Sequence, residues 1–136
     1  MVKAGAWVLA IAFGIAASQV QAFRAINSHA IFAVDEDSFE VIRSTHSGPA
    51  PVWCAARGYA QSALRMRSNA RIFIERGPGP SVTRPGRISF VFTSAVPTGF
   101  DPAEPRPLSL DLGRIGDSLS VVSAYMYCID DWVRDP

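Results

Sequence analysis

The chain has two cysteines, Cys54 and Cys128, set 74 positions apart, and its first residues decide what they can do. Lys3 is followed by Ala4 to Ala17, an almost wholly apolar run, and then by Ser18-Gln19-Val20-Gln21-Ala22. A charged start, a short apolar stretch and small residues at Val20 and Ala22 have the layout of a secretory signal peptide. The apolar run of about 14 residues is shorter than the roughly 20 a membrane-spanning helix needs. Residues 1–22 therefore read as a signal peptide and residues 23–136 as a single small secreted domain. Export leads to an oxidising space, periplasmic or extracellular, where two lone thiols pair. A Cys54–Cys128 disulfide requires the two α-carbons to come within about 7 Å. The competing reading, a reactive thiol or metal pair, lacks the C-x-x-C spacing such sites use.

Cleavage after Ala22 removes the only lysine. The remaining chain carries twelve arginines against twelve Asp and Glu, so its formal charge is zero with histidine neutral. That balance speaks against nucleic acid or an anionic membrane as a general partner, since both call for a basic excess. No second long apolar run follows Ala17, so no stable membrane insertion is expected after cleavage.

Periodicity gives the elements. Ala30 to Val34 and Phe39 to Arg43 read as two strands, joined through the polar turn Asp35-Glu36-Asp37-Ser38. Val52, Ala55, Ala56, Tyr59, Ala60, Ala63 and Leu64 form one helical stripe, with Arg57, Gln61, Ser62 and Arg65 opposite. Pro51 suits the first turn, Cys54 falls within that turn, Arg65 and Arg67 suit the C-terminal dipole, and Ser68-Asn69 closes the helix. Arg71 to Arg76 and Arg87 to Thr93 read as an antiparallel hairpin around a Pro- and Gly-rich connection without regular structure. Leu108 to Leu112 reads as a further strand. Residues 118–129 fit both periods, and their β-branched and aromatic content favours strand. The expected fold is α+β: an antiparallel sheet of about five strands with one packed helix and one disulfide.

Three segments, VWCAARGYA, ERGPGPSVTRPGR and GDSLSVVSAYMYC, resemble short exported proteins of alphaproteobacteria related to Rhodobacter. The resemblance runs from about Phe39 to Cys128. It implies a Gram-negative periplasmic or secreted setting and nothing about mechanism.

Four groups could carry chemistry. The first is the loop Arg76 to Arg87, a candidate anion- or partner-binding site. Gly77 and Gly79 let backbone N–H groups converge, Ser81 and Thr83 add hydroxyls, and Arg76, Arg84 and Arg87 add charge. Its spacing matches neither phosphate-loop nor dinucleotide fingerprints, and Pro78 and Pro80 remove two donors, so the plainer reading is an exposed connection. The second is His29 with His46, without ligand spacing; solvated surface histidines are the plainer reading. The third is a Ser/His/Asp enzyme, for which no G-x-S-x-G elbow exists. The clusters Asp35, Glu36, Asp37 and Asp130, Asp131 read as solvated turns. The fourth is the aromatic set Trp53, Tyr59, Tyr125, Tyr127 and Trp132, read mainly as core or half-buried packing, with Trp53 or Trp132 available to a partner surface.

No cofactor and no metal are expected. The absence of nucleophile motif, metal spacing and cofactor loop favours a non-enzymatic periplasmic or secreted interaction domain, its partner another exported protein. The alternative is a small hydrolase-like exported enzyme whose site assembles only in three dimensions, around His46, Arg84 or Arg87 with a carboxylate.

Overall fold

The computed structural model describes residues 22–45, 48–101, 103–104 and 110–132; residues 1–21, 46–47, 102, 105–109 and 133–136 lie outside them. The expected α+β class and the disulfide are both present. The elements are β1 (Phe23–Arg24), β2 (Ala30–Ala33), β3 (Ser38–Ile42), α1 (Pro49–Ser62), β4 (Arg71–Pro80), β5 (Ile88–Thr93), β6 (Ser118–Ser120) and α2 (Val121–Trp132). The strands form one antiparallel six-stranded sheet in the order β1-β2-β3-β5-β4-β6. That is one strand and one helix more than the sequence suggests.

The main core lies between α1 and one sheet face. Val52, Ala55, Ala56, Tyr59 and Ala60 meet Ile31, Phe39, Val41, Ile72, Ile74, Phe90 and Phe92 in a single apolar cluster. The alanines bring the helix close to the sheet, so large residues fill the gap from the strand side. Trp53 is wholly buried, edge-on to Phe92 at 5.0 Å, and is not a partner surface. Tyr59 lies against Phe39 and Phe23, at 4.5 and 5.4 Å between ring centroids. The phase of the helix makes a sharp prediction. Ala60→Asp puts a charge into this dry interface, at a cost of several kcal/mol, enough to unfold a small domain. Gln61→Asp, one residue on and exposed, leaves the melting temperature almost unchanged. Equal thermal melts for the two variants would contradict the packing described here.

The helix is shifted from its sequence reading. It begins at Pro49 and ends at Ser62, so Cys54 lies in its second turn. Arg65, with φ of 54°, already lies beyond the end, so neither Arg65 nor Arg67 faces the last helical turn.

The largest correction concerns residues 118–129. Only Ser118–Ser120 pair as strand, opposite Arg71–Phe73, and the chain is helical from Val121. Ser120 Oγ accepts the Ser123 N–H at 3.1 Å, a side-chain cap on the first turn. That cap, with Val121, Ala124 and Cys128 buried at helical spacing, overrides the β-branched preference. Cys128 is thus on a helix rather than a strand. α2 lies beside α1, and the Cys54 and Cys128 α-carbons are 4.9 Å apart across the bond.

Two further expectations fail. The Pro–Gly stretch is not wholly irregular: β4 runs through Gly77–Pro80, with register shifts between Ile74 and Arg76 and between Arg76 and Gly79. β6 ends opposite Phe73, so this half of β4 is an edge, where proline is tolerated. Of the strand expected over Leu108 to Leu112, residues 108–109 lie outside the described residues and Leu110 to Leu112 are not strand; Leu112 is buried in a turn.

Candidate functional site

β3 is buried along both faces. Phe39 and Val41 point to α1. Glu40, between them, points to the opposite side of the sheet, as do its cross-strand neighbours Phe32 and Val91. Glu40 is completely buried.

An ionised carboxylate in such a place must be hydrogen-bonded or it would not stay charged. Glu40 accepts five hydrogen bonds. Oε1 receives the Ser81 hydroxyl at 2.6 Å, the Thr83 backbone N–H at 2.9 Å and the Thr83 hydroxyl. Oε2 receives the Val82 N–H at 2.9 Å and the Ser89 hydroxyl at 2.7 Å. Burial pushes the carboxyl toward the neutral form. The hydroxyls of Ser81, Thr83 and Ser89, with the Val82 N–H, outweigh it and hold the group at about 2, well below its ordinary 4.5. Ser89 Oγ in turn accepts from Arg76 Nη2 at 2.7 Å, so a guanidinium stands one hydroxyl away from the carboxylate.

Every residue of the sequence-derived loop site can now be placed. Ser81 and Thr83 hold Glu40, and Ser81 Oγ also accepts the Arg84 N–H at 2.8 Å. The convergent donors are present, and the anion they hold is the chain's own. Arg76 folds back on β4, donating to the Pro80 carbonyl at 2.7 Å and the Ser89 carbonyl at 3.1 Å, acceptors beside the register shift. Gly77 sits where a Cβ would be 3.1 Å from both the Gly113 Cα and the Leu112 carbonyl, so its role is close passage of the 112–113 turn. Gly79 packs under the Arg76 side chain. Arg84 lies flat over the Phe32 ring, its Cζ 4.1 Å from the centroid, and Arg87 Nη2 reaches the Arg43 carbonyl at 3.2 Å. Arg84 and Arg87 remain exposed, as does the Val82 side chain, at 60 %.

His29 is not a surface histidine. It is buried, its Nδ1 2.9 Å from Asn27 Oδ1 and its Nε2 3.2 Å from Ser44 Oγ. Asn27 Nδ2 also donates to the Pro51 carbonyl at 2.7 Å, so the histidine belongs to a polar clasp between the β1–β2 turn and the start of α1. His46, the other histidine of the candidate pair, lies outside the described residues. Asp35 accepts the Asp37 and Ser38 N–H groups at 2.9 and 2.8 Å, which lower its pKa and close the hairpin turn.

No family model, curated protein or solved structure matches the chain. The site must therefore be read from its own geometry. Among the described residues no group of three or more His, Cys, Asp or Glu side chains is placed to hold a metal ion, and no helix is long and apolar enough to cross a membrane.

A second exposed feature lies on α2. Val122, Tyr125 and Met126, at i, i+3 and i+4, are 54, 45 and 60 % exposed, and Arg57 of α1 stacks on Tyr125 at 4.5 Å.

Sequence reasoning passed over Glu40 because it occupies the alternate position of FEVIR, where a strand with one wet face carries its charge. The available signal was the composition of that same face on the neighbouring strands. Ser38, Ser89 and Thr93 put small hydroxyls where long charged side chains normally stand.

Proposed function

We propose that this is an exported, non-enzymatic interaction domain whose recognition element is the loop 81–87. The observation that carries the reading is the burial of Glu40 beneath that loop. Taking a carboxylate out of water costs several kcal/mol unless its bonds are replaced. Here the replacement comes from three consecutive residues, Ser81, Val82 and Thr83, and from Ser89 beyond the loop's end. The result is a surface loop whose backbone is fixed before any partner arrives while Val82, Arg84 and Arg87 remain exposed. A loop ordered in advance loses less entropy on association, which is how rigid binding loops gain affinity. The carboxylate is committed to five donors and sits inside the sheet, an arrangement that suits holding a loop rather than transferring a proton.

Export rests on the charged, apolar and small-residue pattern of residues 1–22, and the disulfide and the Rhodobacter-type resemblance agree with it. The secreted form is expected to begin at Phe23, as N-terminal sequencing of the exported protein would show; an intact Met1 would contradict it. The interaction reading is tested with the mature domain as bait in a periplasmic extract, against a bait carrying Val82→Glu. Capture of one protein in stoichiometric amount by the first bait and not by the second supports it. Identical captures by both, or none, overturn it.

A further inference from the structure

The loop also indicates what kind of partner it fits, an inference that rests on the interaction reading above. Arg84 is the decisive residue. Its guanidinium carbon lies over the Phe32 ring, which holds the end of the side chain in place. Among the described residues the guanidinium makes no hydrogen bond and no ion pair, and Arg84 is exposed. An exposed guanidinium with these donors unused is the group that takes a carboxylate bidentately. Arg87 lies on the same loop, where it reaches the Arg43 carbonyl, and it too is exposed. Glu40, beneath the loop, is buried and already satisfied, so it offers Arg84 and Arg87 no partner.

The surface between these charges is not purely basic. Val82 is exposed on the same loop. Arginines beside an aliphatic side chain fit an acidic segment that also carries apolar residues. A polyphosphate chain would call for a broader basic field than a domain of zero formal charge supplies. We infer that the surface formed by Val82, Arg84 and Arg87 docks an acidic, partly apolar peptide segment of another exported protein, with Arg84 as the carboxylate fork. The apolar face of α2 is the competing surface, and nothing in the structure shows what would cover it.

The test is selection of a random twelve-residue peptide library on the folded mature domain, followed by titration of the selected peptides. Peptides enriched in Asp and Glu with at least one apolar residue are expected. Their binding should weaken at least tenfold in the Arg84→Glu, Arg87→Glu double variant and fall with added salt. It should be unchanged in Val122→Glu, Met126→Glu on α2. Val82→Glu serves if the double variant melts early, because it adds a repelling charge at a solvent-facing position. Selected peptides without acidic enrichment, or peptides lost only in the α2 variant, would overturn this inference while leaving the interaction reading in place. Tighter binding of inorganic polyphosphate than of any selected peptide would also overturn it.

Discussion

Glu40→Gln is expected to lower the melting temperature at pH 7 by about 10 °C, corresponding to about 2–4 kcal/mol in a domain of this size. The change keeps the shape and removes the charge. The amide oxygen can still serve the donors that now reach Oε1. The amide nitrogen, itself a donor, would face the Val82 N–H and the Ser89 hydroxyl. The same carboxylate predicts an acid dependence, and its sign follows from the direction of the shift. Folding lowers the Glu40 pKa from 4.5 to about 2. Its contribution is therefore complete above about pH 4.5 and is lost as the pH falls toward 2, about 3 kcal/mol in all. At pH 3 the gap between wild type and Glu40→Gln should have narrowed by about 2 kcal/mol. Thermal melts of both proteins at pH 7, 5 and 3 measure this. Coincident melts at pH 7, or a gap of constant size down to pH 3, would show that the carboxylate does not hold the loop.

The second large effect belongs to the disulfide. Cys54→Ala with Cys128→Ala opens a loop of 74 residues, and chain entropy puts its closure at about 4 kcal/mol. A fall in melting temperature of about 15 °C is expected. The loss should be uneven. α2 continues directly from the three-residue β6, its first N–H groups bonded to the Ala70 and Ser68 carbonyls, and among its described side chains the buried ones are Val121, Ala124 and Cys128. α1 keeps its full apolar face on the sheet without the bond. Hydrogen exchange should therefore show α2 amides losing protection well before those of α1. Equal protection in both helices, or a melting temperature within about 2 °C of wild type, would mean that helix packing alone fixes α2.

The parts of the fold that could be read in the sequence are those where one physical signal acts alone. The stripe from Val52 to Ala60 places the helix, and strand alternation places β2, β3 and β5. The disulfide follows from compartment and the lack of any other cysteine. Where two signals compete, the local one misleads. Leu119, Val121 and Tyr125 alternate as a strand would, yet Ser120 caps a helix and Cys128 must reach Cys54. The glycines and prolines of residues 77–80 signal irregularity, yet an unpaired strand edge accommodates them. The loop 76–87 was recognisable as a set of converging donors. Its internal acceptor was not, because Glu40 is 41 residues from Ser81 and only the β3–β5 pairing brings them together.

The outward-facing half of β4 has a further consequence for how the protein survives before and after it folds. The Ser81 N–H turns inward to the Arg87 carbonyl, so by strand alternation the nitrogen of Pro80 faces outward. Proline has no hydrogen there to offer an incoming strand, and Pro78 lies at the register shift, where the edge is kinked. At the other side of the sheet β1 is only two residues long. The opposite margin strand, β6, is only three residues long, and short or blocked margins are how natural sheets avoid aggregation. Replacing Pro80 with Val would leave the core untouched while opening a docking edge, so the cost would appear as precipitation at high concentration rather than as a lower melting temperature.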